Sequence, residues 1–271
     1  MKHIAYILLI MLLISSCKEA TKAVEDAAVK TTEQIGTAFD GQQTLGNGIT
    51  MRPFTESVAF PDAAISSVNY TNGVFTFGVR GDKYKLGQQS TDAQQKMCAN
   101  SAKGQHIHLI LNDAPYAAKY VNQFEYDVPD GEHHMLAFLS RSYHESIKSE
   151  GANVALKVNV DNKSITKTEP IKDPMIFYSR PKGNYVGKDT ENLMLDFFLA
   201  NVNLSEKGFK VKADINGTEA IITDWKPYYL NGLPMGENTI TLTLLDQNGR
   251  AVETPLNPVS RTFTLKADPT G

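Results

Sequence analysis

The residue types in this chain best able to do chemistry are its histidines. Beyond His3, all of them fall between His106 and His144, in the stretches "GQHIHLILNDAPY" and "GEHHMLAFLSRSYHES". His106 and His108 stand two apart in an apolar, β-like run. Alternation in a strand puts them on one face about 7 Å apart, so both can reach one ion if a neighbouring strand adds a ligand. His133 and His134 are adjacent and point to opposite faces, so one of them can join; His106, His108 and His134 are the candidate ligands for copper or zinc. Ile107, Leu109 and Leu111 take the other face as core, which leaves the His106/His108 face outward and accessible. Sheet histidines without metal, either exposed or partly buried and hydrogen-bonded to backbone, are the competing reading. The tight Cys-x2-Cys or His-x3-His spacings of structural zinc and the HEXXH of zinc hydrolases are missing, and Met97 and Cys98 precede the histidines, so they offer only a looser, soft Cu(I) set.

A second group, "FLSRSYHESIK", crowds Arg141, Tyr143, His144 and Lys148 just after a strand. Loops at the end of a rigid sheet commonly carry binding residues, and Arg supplies a two-pronged donor for carboxylate or phosphate, so these four are candidate ligand-binding residues. Trp225, Pro227, Tyr228 and Tyr229 suit either an aromatic glycan platform or a packed sandwich corner. No GxSxG elbow, glycine-rich phosphate loop or separated acid/base pair stands out, and the chain is read as non-catalytic. The formal charge of −3 lacks the basic footprint of a nucleic-acid binder.

Positioning these residues requires strands. "GVFTFGVRG", "HIHLILN", "HHMLAFL", "NLMLDFFLANV", "FKVKADING", "NTITLTLLDQNG" and "SRTFTLKA" alternate or run apolar between turn residues, with Asn216-Gly217 and Asn248-Gly249 as hairpin signals. The two halves also match. "KGQHIHLILNDAPY" leading to "VPDGEHHMLAFLSRS" corresponds to "KGFKVKADINGTEA" leading to "LPMGENTITLTLLDQNG", with Lys210 and Lys212 opposite His106 and His108, and Asn238 and Thr239 opposite His133 and His134. A duplicated set of antiparallel strands predicts an all-β protein of two tandem Ig-like β-sandwich domains, residues 51–163 and 164–271, divided within the polar, Pro-punctuated segment from Asp161 to Pro174.

The N-terminus reads as an address. Lys2, an apolar run from Ile4 to Ile14 and small residues before Cys17 have the order of a secretory signal. "LISSC" resembles the lipobox of bacterial lipoproteins, which implies cleavage of residues 1–16 and acylation of Cys17. Its acyl chains would make the membrane partner, and no second apolar run of spanning length follows. "KEATKAVED" is similar to the start of surface lipoproteins in Bacteroidota-type bacteria, which implies the outer membrane, on its periplasmic or surface face. Residues 17–50 form a tether, weakly amphipathic from Lys18 to Asp40 and Gly/Gln-rich after it, with globular structure from about Met51. With Cys17 acylated, Cys98 has no intramolecular partner.

"GQHIHLILNDAPY", "DGEHHMLAFLSRSYHESIK", "PKGNYVGKDTENLMLDFFLANVNL" and "WKPYYLNGLPMGENTITLTLLDQNG" together resemble a family of uncharacterised Bacteroidota-type lipoproteins, some of whose members carry the label phosphopeptide-binding protein. The resemblance implies basic donors for a phosphate, with Arg141, His144 and Lys148 nearest to that role, and brings no catalytic residue. The sequence as a whole reads as an outer-membrane lipoprotein serving as a binding or adaptor module without a required cofactor, its partner a protein, peptide or glycan; the alternative is a copper- or zinc-binding envelope protein.

Overall fold

A computed structural model describes residues 41–269. The signal, Cys17 and the segment from Lys18 to Asp40 lie outside the described residues. In chain order the strands of the first half are β1 Gln43–Gly46, β2 Ile49–Pro53, β3 Ala64–Thr71, β4 Val74–Arg80, β5 His106–Leu111, β6 Ala117–Lys119, β7 Gln123–Glu125, β8 Gly131–Ser140 and β9 Asn153–Asp161. There follow β10 Ser164–Pro170, β11 Met175–Arg180, β12 Gly183–Val186, β13 Leu193–Ala200, β14 Lys210–Ile215, β15 Thr218–Ile222, β16 Tyr228–Asn231, β17 Gly236–Leu245 and β18 Val259–Lys266. Helix is limited, among the described residues, to two short 3-10 turns.

These strands make four sheets, of order β3-β4-β7, β10-β9-β8-β5-β6, β1-β2-β16-β13-β11 and β12-β18-β17-β14-β15. Pairing is antiparallel except for β12 with β18. The first two sheets close on a core of Tyr70, Phe75 and Phe77 against Ile107, Leu109, Met135, Ala137 and Val158. The last two close on Leu195, Phe197 and Leu230 against Val211, Ile240, Leu242 and Phe263. The protein is thus all-β and built of two Ig-like sandwiches. Between them lies a third apolar layer, in which Ile110, Leu136 and Phe138 of the first sandwich meet Met175, Phe177 and Phe198 of the second. Sheets covered on both faces need apolar residues at nearly every position, and β5, β11 and β13 are accordingly buried from end to end.

Two boundaries differ from the sequence expectation. The tether does not run to residue 50: β1 and β2 form a hairpin that joins the second sandwich through β16, and Ile49 and Met51 enter its core. Strands of four and five residues beside glycines and glutamines carry little periodicity, which is why they read as linker. Half of the polar segment from Asp161 to Pro174 is β10, an edge strand hairpinned onto β9 of the first sandwich by a turn in which Asn162 and Lys163 both take positive φ. An edge strand with one solvated face can be polar throughout.

The internal repeat has a structural counterpart. Asn112 N–H donates to His134 O (2.7 Å) and His134 N–H to Asn112 Oδ1 (2.9 Å); in the second half Asn216 N–H donates to Thr239 O (3.0 Å) and Thr239 N–H to Asn216 Oδ1 (2.9 Å). Both asparagines have positive φ. His133 ties this corner to Pro129 O (2.8 Å) as Asn238 ties the other to Pro234 O (2.9 Å). His133 is therefore a corner clamp that an amide replaces in the other copy.

Candidate metal centre

Strand alternation sends Ile107, Leu109 and Leu111 into the first core and His106 and His108 to the opposite face, as expected. That face is not outward. It continues into Ile110 and the layer between the sandwiches, so both imidazoles are fully buried. The expectation of an accessible pair failed because the second sandwich covers this sheet, and a covering layer leaves no mark on the local pattern.

Burial is accompanied by convergence. His106 Nε2 lies 2.8 Å from His108 Nε2 and 3.1 Å from His144 Nδ1, and the candidate ligand atoms of the three side chains lie within 4.8 Å of one another. The third member is His144, not His134. His134 shares the face of Phe138, but Phe138 is the residue opposite His108, so strand rise puts His134 about 13 Å along the sheet. There it stands half-buried beside Lys157 and Glu132. His144 closes a turn whose amide donates to Arg141 O (2.9 Å), and its own φ is +71°. A left-handed, non-glycine residue is costly and persists where the surroundings hold it; here it turns the imidazole back onto the strand pair, with its edge at the rim.

The protonation states follow from the contacts. His106 Nδ1 is 2.8 Å from Gly104 O, and a carbonyl only accepts, so Nδ1 carries the proton. Burial is the main force lowering His106, to about 4, and the nearby Arg180 and Lys182 charges add to it. His108 and His144 are pushed well below the ordinary imidazole value, again by burial first and then by neighbouring imidazoles and the same two cations. Near neutrality His106 is thus uncharged, and its Nε2 presents one lone pair to two nitrogens. One of them can donate a good hydrogen bond to it. The other then faces an occupied acceptor or a second lone pair. A metal cation among the three rings accepts all three lone pairs at once.

Zn–N bonds of about 2.0–2.1 Å in a tetrahedral set place nitrogens about 3.3 Å apart. To hold such an ion the two short separations would open by a few tenths of an ångström and His144 would move inward from its turn. Gly104 O is the outer partner that a ligating His106 needs, whereas His108 Nδ1 is buried with no hydrogen-bond partner among the described residues. Tyr116 stacks on His108 (3.6 Å between centroids, 9° between planes), with its hydroxyl 3.4 Å from His144 Nδ1, and Tyr120 packs 4.8 Å from His106.

The soft Cu(I) set does not form. Met97 is exposed, and Cys98 borders the Phe54, Tyr143, Met194 and Tyr229 cluster, where burial pushes its thiol up to about 12. The remaining members of the expected ligand-binding group are engaged by the protein. Arg141 donates to Val58 O (2.7 Å) and faces Glu145 (3.6 Å), Tyr143 Oη donates to Asp92 Oδ2 (3.0 Å), and Lys148 pairs with Asp196 (2.7 Å). Trp225 is a corner: its Nε1 donates to Phe197 O (3.0 Å) and its ring packs edge-on against Phe198. The sequence reading missed Tyr116, Tyr120, Arg180 and Lys182. Tyr116 at least stands in the same stretch as the His pair; the two cations come from the other sandwich, and no local signal marks them.

No protein-family model and no curated protein matches the chain. Among solved structures it is similar to the fibronectin(III)-like modules of Clostridium thermocellum CbhA (19% identity, 35% of this chain and 99% of that one, TM-score 0.27). It is also similar to the central fibronectin-III array of RIM-binding protein (10% identity, 76% and 68%, TM-score 0.25). A third is the extracellular domain of the hybrid two-component system BT3049 of B. thetaiotaomicron (10% identity, 85% and 40%, TM-score 0.27). The functional reading rests on the site itself.

Proposed function

We propose that the chain is a metal-binding protein of the cell envelope, holding one borderline transition ion, copper(II) or zinc, on His106 Nε2, His108 Nε2 and His144 Nδ1. One observation carries this reading: the buried His108 and the half-buried His144 both bring a ring nitrogen to the single lone pair of the buried, uncharged His106, which can satisfy only one of them. Neutral imidazole suits both ions. Cys17 and the leader support attachment to the outer membrane by lipid, with the two sandwiches carrying the ion as a binding module. The test is metal content and copper and zinc titration of the full chain in detergent, for wild type, the His106→Ala/His108→Ala pair and His144→Ala. One ion bound per chain at micromolar affinity or tighter, lost in His144→Ala with folding intact, is expected. A wild-type chain that takes up neither ion under any loading condition refutes the reading.

A further inference from the structure

Two cations, Arg180 and Lys182, stand beside the histidines. Arg180, at the end of β11, is 6% exposed, and its Nε and Nη2 both donate to the hydroxyl oxygen of Tyr185 (3.2 and 2.9 Å). Lys182 shares that phenol through its backbone N–H (3.2 Å) and holds its ammonium 4.1 Å from the Tyr116 ring, the ring stacked on His108. Among the described residues neither cation forms an ion pair. Asp196, the buried carboxylate opposite Arg180 on the paired strand, is taken by Lys148 Nζ (2.7 Å) and Ser146 N–H (3.0 Å). Buried guanidinium groups are ordinarily paired, and a metal ion brought within range of both charges makes the local excess of positive charge larger. Three imidazoles also leave a tetrahedral ion one further position.

We infer that this position takes a small planar oxyanion of the carboxylate class, bound to the metal on one side and held by Arg180 and Lys182 on the other. The inference rests on the metal reading above. Arg180 supplies the planar donor edge that matches a carboxylate, and Lys182 a point charge. The ligand comes from solution, and its charge offsets the cations that otherwise oppose the ion.

The experiment uses the full chain in detergent, loaded with copper(II), with azide as an optical reporter of an anion on copper and acetate as its competitor. Azide affinity is measured per bound copper in wild type, Lys182→Met, Arg180→Met and Arg180→Lys. Saturable azide binding displaced by acetate, weakened about tenfold or more in each methionine variant and partly restored in Arg180→Lys, is the expected result. Equal azide affinity in all four, with copper bound, overturns the anion inference and leaves the metal reading standing. A wild-type chain that takes up neither copper nor zinc overturns both, and the metal content measured beforehand tells the two failures apart.

Discussion

His106 Nδ1 sits 2.8 Å from the carbonyl oxygen of Gly104, two residues back on the same chain, and this contact decides which nitrogen His106 offers to its neighbours. The carbonyl is aimed by a backbone that glycine alone adopts freely: Gly104 has φ +86°, and a Cβ there would lie 2.5 Å from Gly87 C and 2.7 Å from Gln88 C. Gly104→Ala is therefore expected to cost about 3 kcal/mol in stability. It should also weaken metal binding in whatever fraction folds, because the ring loses its outer partner. Urea unfolding and a zinc titration on the same preparation check both. Unchanged stability would show that the passage of residues 87 and 88 against 104 is looser than described.

Acid should destabilise the metal-free protein before it titrates most carboxylates. Unfolded histidines take up protons near 6.5, while folded His106 resists until about 4. Between those values the unfolded chain binds more protons, so stability is complete above pH 6.5 and is lost as pH falls towards 4. His106 alone accounts for something on the order of 3 kcal/mol, and His108 and His144 act in the same direction. Urea midpoints of the metal-free chain from pH 7.5 to 4.5 measure this, and His144→Gln should flatten the slope. A flat wild-type profile would mean that the trio is already protonated in the folded state.

Lys148 should matter to folding. Its ammonium is the charge partner of Asp196, which is fully buried, and it also reaches Ser146 Oγ at 2.7 Å. Lys148→Met strands that carboxylate and is expected to cost about 3–5 kcal/mol, whereas a Lys148→Met, Asp196→Leu pair should recover most of it. Denaturant curves of the single and double variants decide the matter, and a single variant as stable as wild type would assign the compensation of Asp196 to its backbone contacts.

The sequence shows what each strand does locally and not what lies across it. "HIHLILN" identifies the strand, its core face and the pairing of the two imidazoles, because alternation is a property of neighbours in the chain. It is silent on the cover over His106 and His108, since the second sandwich arrives from residues 175–200. In sequence His144 stands out only as part of the polar crowding after a strand, but its place in the trio depends on a left-handed turn, and nothing in "SRSYHES" specifies one as Asn-Gly does at 216–217. Arg141 and Lys148 look like free donors in sequence because their acceptors, Val58 O and Asp196, come from far along the chain.

The position of β1 and β2 sets where a soluble fragment can begin. Ile49 is 2% exposed, β2 pairs with β16, and a Cβ on Gly232 would meet Gly48 O, so this hairpin is packed backbone to backbone. A chain starting at Met51 should be less stable than one starting at Gly41 by about 3 kcal/mol or more, from the loss of Ile49 alone. Thermal melts of the two truncations are sufficient. Equal melting temperatures would remove the first hairpin from the folding unit.

The layer between the sandwiches should bind folding and the site together. Phe138 is fully buried, its ring 4.8 Å from His108 on one side and 5.4 Å from Phe198 of the second sandwich on the other. Because the inner sheets are shared through this layer, the two sandwiches are expected to unfold in one transition. Phe138→Ala opens a cavity worth about 3–5 kcal/mol and removes one of the rings packed on His108. Metal affinity should then fall along with stability, while Phe77→Ala, a cavity in the outer core of the first sandwich, should lower stability and leave affinity nearly unchanged. Comparing zinc affinity with unfolding free energy for the two variants separates the effects. Equal losses of affinity at equal losses of stability would show that the site responds to general loosening and not to the layer that covers it.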